Sequence, residues 1–149
     1  MLFKEKVHAA FLQLQSKKIA ELKKVIADLS YSAANETKST AGDKHETALA
    51  HLQTSISQAY QQLQELNNQY NLLTSLHPSS THLQIAHGSI VTTNRNIFYI
   101  SAAIGKLNID GKTVYAMSPS SPLALKMMGK KETVSIEMNG IIHLISEVS

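Results

Sequence analysis

Apolar residues recur at Leu49, Leu52, Ile56, Ala59, Leu63, Leu66, Tyr70 and Leu73, with spacings that alternate between three and four. That is the heptad seam of a helix lying lengthwise against another helix. Gln, Asn, Ser and Glu fill the positions between, as on a solvated face. One helix cannot bury such a seam alone, so a partner is required. Val7, Phe11, Leu14, Leu22, Val25 and Leu29 supply one upstream. Their rhythm falters at Lys18, where either Ile19 turns inward or the lysine stem snorkels along the seam. The pattern predicts two helices of about 28–30 residues, each about 40–45 Å long. A short connection makes them antiparallel neighbours, with a tip near residues 34–45.

The pattern changes at His77-Pro78-Ser79-Ser80-Thr81. Upstream there is no proline, and Gly42 is the single glycine; all three prolines lie from residue 78 onward. The second half reads as short strands at Ser89–Thr93, Ile97–Ile104, Thr113–Met117, Thr133–Met138 and Ile141–Val148. Turn residues separate them at Asn94-Arg95-Asn96, Asp110-Gly111 and Asn139-Gly140, the last being a strong hairpin signal. One helix interrupts the strands: Ser121 caps it, Pro122 takes its first position, and Gly129 closes it. The expected fold is α+β. An N-terminal antiparallel coiled-coil hairpin (1–76) leads through a linker (77–82) to a small antiparallel β domain with one short helix (83–149).

Composition narrows the chemistry. The chain has 149 residues and no Cys, which excludes a disulfide framework, Cys-bound zinc and thiol catalysis. Charges and Gln interrupt every apolar run, so neither a secretory leader nor a membrane span is expected. A soluble, cytoplasmic protein is the expectation. The formal net charge is +3, mildly basic and suited to an acidic partner without demanding one. Lysines gather at Lys17, Lys18, Lys23 and Lys24, and again at Lys126, Lys130 and Lys131. Arg95 is the single arginine, and nucleic-acid modules usually interleave Arg or aromatics with their Lys.

The stretch Gly42-Asp43-Lys44-His45-Glu46 carries the most specific candidate chemistry, and it has two compatible readings. Gly42 makes the turn, Asp43 caps the second helix and Glu46 completes a capping box. The same spacing holds two carboxylates together at the end of a hairpin, as suits shared ligation of a hard cation such as Mg²⁺. Without a pocket of their own, they act only in a site that another molecule provides.

Gly42-Asp43-x-x-Glu46 at the turn of a long hairpin resembles the tip of the GreA/GreB transcript-cleavage factors. Gly88-Ser89-x-Val91 looks like the first strand of that family's C-terminal domain. Ser121-Pro122-Leu123-Ala124 and Met128-Gly129-Lys130-Lys131 look like its short helix and stop. The resemblance covers nearly the whole chain in the right order. It implies an FKBP-like C-terminal domain that docks on bacterial RNA polymerase, with Ser121, Pro122, Leu123, Lys130 and Lys131 as binding residues. It implies a coiled coil entering the polymerase secondary channel. Asp43 and Glu46 would there help to hold a second Mg²⁺, and the polymerase would hydrolyse its own backtracked transcript by two-metal chemistry. On this reading the protein is a monomeric accessory factor, not an enzyme, and has no cofactor of its own. Its Mg²⁺ is supplied in the polymerase active site, and its contact with nascent RNA is indirect.

Departures from the family pattern leave an alternative open. Lys38 and Lys44 flank the acids, and Thr47-Ala48-Leu49 replaces a more acidic stretch. A channel regulator or inhibitor that does not stimulate cleavage would fit these changes. An adaptor using the helices for another partner is a further possibility, and the seam would also serve pairing between chains. Elsewhere, His77, His82 and His87 lie five apart, a spacing that suits neither one helix face nor one strand face. They read as exposed linker histidines, with a metal site as the alternative. Ser118, Ser120 and Ser121 lack a nucleophile elbow.

Overall fold

The computed structural model describes residues 2–37 and 42–149, and of residues 37 and 42–45 the backbone alone. The fold is α+β: two long helices, α1 (Phe3–Thr37) and α2 (Gly42–Thr74), precede a six-stranded mixed sheet. The chain divides into two compact units, Gln15–Asn68 and Met1–Leu14 with Gln69–Ser149.

In the all-helical unit, the expected α2 seam faces inward. Ala59 is buried, while Leu49, Leu52, Ile56, Leu63 and Leu66 are half-buried. The α1 side departs from a heptad. Gln15 and Ile26 are buried, Lys18, Ile19, Leu22 and Leu29 are half-buried, and Val25 is 48% exposed. The expected seam position at Val25 is therefore wrong by one residue. A step of three from Leu22 lands on Val25. An α-helix has 3.6 residues per turn, so a step of four to Ile26 keeps the stripe on the same side. A polar residue also sits on the stripe: the Gln15 Nε2 amide donates to the Leu66 carbonyl at 3.0 Å.

The other unit is built on the strands β1 (Ile90–Thr93), β2 (Ile97–Ile100), β3 (Gly105–Ile109), β4 (Lys112–Met117), β5 (Ser135–Met138) and β6 (Ile141–Val148). Their order is β3-β4-β2-β1-β6-β5. All pairs are antiparallel except β2 with β4, which run parallel from Ile97↔Val114 to Ile100↔Met117. The expectation of an antiparallel sheet is thus corrected. The expected strand Ile97–Ile104 stops at Ile100, and the chain turns at residues 101–104. It runs out as β3 on the sheet edge and returns as β4 beside β2. Asp110-Gly111 and Asn139-Gly140 make the tight turns as expected. Both residues of each pair have positive φ (53° and 79°, 53° and 78°), which a right-twisted two-residue hairpin requires.

The strands alternate between two buried faces. Ile90, Tyr99, Val114 and Ala116 form one, covered by Val7 and Phe11 of α1 and Leu73 of α2. Val91, Phe98, Ile100, Ile136 and Ile145 form the other, covered by Ala124 and Met127 of helix α3 (Pro122–Met127). Burying each large apolar side chain stabilises the fold by about 1.5–3 kcal/mol. Two helix ends thus cover one face over β1, β2 and β4, and a short helix covers the other, while Ile142 and Leu144 of β6 stay exposed.

Thr133 is exposed and has φ +72°. That conformation crowds a β-branched Cβ and is rare outside glycine. Thr133→Gly is expected to raise stability by about 1 kcal/mol through relief of this strain. A higher urea midpoint at unchanged m-value is the check; an unchanged or lower midpoint contradicts it.

Candidate functional site

The backbone is helical from Gly42 onward. Asp43 therefore lies inside the first turn of α2, not at the cap position expected of it. Residues at i and i+3 of a helix are surface neighbours, with Cβ atoms about 5–6 Å apart. Positions 43 and 46 share that relation, and the Glu46 side chain is exposed. The first turn of a helix also favours carboxylates, because its free N–H groups leave a partial positive charge. The side chains of Asp43, Lys44 and His45, and the whole of residues 38–41, lie outside the described residues.

The second group of expected site residues surrounds α3. Ser121 caps the helix as expected, its Oγ accepting from the Ala124 N–H at 3.3 Å, and Pro122 occupies the first turn. Such a cap stabilises by about 1 kcal/mol. The Ile85 N–H donates to the Lys130 carbonyl, and the Gly129 N–H donates to the Ile85 carbonyl, both at 2.8 Å. This pins the end of the helix to the segment before β1. Pro122, Lys130 and Lys131 are exposed, and Leu123 is half-buried against the core. Leu125 is 63% exposed beside them. The Lys126 ammonium donates to the Glu137 carbonyl at 2.8 Å. The result is an exposed surface of proline, leucine and lysine side chains.

The three linker histidines are engaged differently. His77 is exposed. His82 and His87 are half-buried, which corrects the expectation of exposure. His82 Nδ1 lies 2.8 Å from Ser89 Oγ, and His87 Nε2 lies 3.2 Å from the Ser101 carbonyl. Among the described residues, no group of three or more His, Asp or Glu could hold a metal ion.

The sequence reading missed a set of buried polar groups where α1 meets the sheet. Lys4 and His8 are only 6% and 8% exposed. The Lys4 ammonium donates to the Ser80 carbonyl at 2.8 Å, and His8 Nδ1 lies 2.7 Å from Tyr99 Oη. Burial pushes the Tyr99 phenol well above its ordinary range and lowers the pKa of Lys4 and His8. His82 is lowered by burial and then by the nearby Lys4 charge. Lys4, His8, Phe11 and Gln15 step along α1 at four, three and four residues. Polar side chains on a helical stripe were the available signal.

These histidines set a pH dependence. In the unfolded chain both titrate near 6.5; in the folded protein both titrate lower. Between those values the unfolded chain holds more protons. Their contribution is therefore complete above pH 6.5 and is lost as pH falls through the folded values. The urea midpoint is expected to drop between about pH 7.5 and about pH 5.5, and to drop less in His8→Gln. Equal drops in the two proteins would remove His8 from the explanation.

No protein-family model matches the chain, and no curated protein matches it. Among the described residues, no helix is long and apolar enough to cross a membrane.

Proposed function

We propose that this protein is a Gre-type elongation factor, in which α1 and α2 form an antiparallel coiled-coil hairpin that enters the secondary channel of RNA polymerase. One observation carries the reading. Helices of 35 and 33 residues are joined by only residues 38–41, with Asp43 and Glu46 in the opening turns of the second. Each helix is about 50 Å long at 1.5 Å per residue. The two acids offer oxygen donors of the kind Mg²⁺ takes, one step apart on a helix surface. In the polymerase they would help hold a catalytic Mg²⁺ and its water, and backtracked RNA would be cleaved by the polymerase itself. The α3 surface with Ser121, Pro122, Leu123, Lys130 and Lys131 would dock an FKBP-like domain at the channel rim.

The test uses stalled, backtracked elongation complexes, with the wild-type protein or with Asp43→Ala/Glu46→Ala. Faster transcript shortening with wild type alone supports the proposal. Equal shortening with and without the protein overturns the cleavage reading.

The alternative is a channel regulator that binds polymerase without stimulating cleavage. Lys44, set between the two acids in the first turn of α2, favours it by offsetting their charge. Binding to polymerase without cleavage is its signature.

A further inference from the structure

A cleft of about 620 Å³ opens beside the N-terminus of α1, within the sheet-containing unit. That volume lies within the range of about 300–1,000 Å³ typical of small-molecule sites. Phe3, Ile90 and Ile97 give it an apolar wall, and Lys4, Lys112 and Glu147 supply its charges.

The cations are the unusual part. Lys4 is nine-tenths buried and spends one of its three N–H donors on the Ser80 carbonyl. Among the described residues, no carboxylate lies within 4.0 Å of the Lys4 ammonium. A buried charge without a counter-ion is costly, and burial already lowers the Lys4 pKa. Lys112 stands over the Phe3 ring, its Nζ 5.2 Å from the ring centroid. That contact holds a second cation at the apolar wall. Glu147 and Ser149 also line the cleft, but neither forms an ion pair with Lys4 or Lys112.

An apolar wall with unmatched cations fits one kind of ligand: a small molecule with an apolar body and an anionic head. We infer that this cleft binds such an anionic amphiphile, with its carboxylate or phosphate at Lys4 and Lys112 and its hydrocarbon part against Phe3, Ile90 and Ile97. This inference stands apart from the tip acids and does not depend on their role.

Octanoate and octyl phosphate are suitable probes, titrated into the full chain by calorimetry beside octan-1-ol and octylammonium. The expected result is saturable one-to-one binding of at least one anion, at least about tenfold tighter than either control. Whichever anion binds more tightly identifies the head group. Lys4→Met removes the buried charge and keeps an apolar stem; the exposed Lys112→Glu reverses the second cation and serves if the first variant fails to fold. Either is expected to weaken the anion at least about tenfold while circular dichroism stays unchanged. Three results would overturn the inference: no saturable anion binding, octanol binding as well as the anions, or a folded variant that binds like wild type.

Discussion

Phe11→Ala is expected to destabilise the sheet-containing unit by about 3–5 kcal/mol, the range for removing a fully buried aromatic ring. Phe11 is wholly inaccessible to solvent. It packs with Val7, Leu73, Tyr99 and Val114. Its ring centroid lies 6.3 Å from that of Tyr99, so the change also removes an aromatic pair of about 0.5–1.5 kcal/mol. A folded domain commonly has only about 5–15 kcal/mol of stability, so the loss is a large share of the total. Urea unfolding followed by circular dichroism reads it directly. A loss below about 1 kcal/mol would mean that the end of α1 is not part of this core.

The tip variant Asp43→Ala/Glu46→Ala is expected to slow transcript cleavage by about 10- to 100-fold, the scale seen when groups that support a metal site are removed. Stability should change little, because Glu46 is exposed; surface changes usually stay within about 0.5 kcal/mol. Polymerase affinity should also persist, since the proposed docking residues lie on and beside α3. A matched control, Pro122→Ala/Lys130→Ala/Lys131→Ala, should show the reverse: weaker binding, with cleavage restored at higher protein concentration. If the tip variant cleaves like wild type, the acids have no part in the reaction. If both variants lose binding alike, the division between tip and docking surface fails.

How much of this could be read from the residues depends on which period governs each segment. All eight expected α2 seam positions are buried or half-buried, because one helix held a strict three–four rhythm. The α1 stripe drifted, and Ile26 took the place assigned to Val25. The tight turns and α3 were legible because Asn-Gly, Asp-Gly and Ser-Pro have narrow backbone preferences. Strand β3 escaped because Gly105-Lys106-Leu107-Asn108-Ile109 offers two apolar residues among poor strand formers. Sheet pairing and not local propensity makes it a strand. The direction of β4 relative to β2 is a long-range choice that no local pattern encodes. The spacing of Asp43 and Glu46 admitted both a capping box and a carboxylate pair, and the resemblance alone gave the second a role. The cleft was not visible at all, for its walls come from segments as far apart in sequence as Phe3, Ser80, Ile97, Lys112 and Glu147.

The last strand has a consequence for how the chain matures. β6 pairs with β5 through Ile141–Leu144 and with β1 through Ile145–Val148. Until it has left the ribosome, β1 lacks a neighbour on one side and the face packed on α3 lacks Ile145 and Val148. Val7 and Phe11, made before the sheet, must wait for partners such as Tyr99, Val114 and Ala116 far downstream. The compact unit Gln15–Asn68 needs far less chain. The helical unit is therefore placed to form first during synthesis, while two early apolar side chains stay open to chaperones until β1, β2 and β4 emerge.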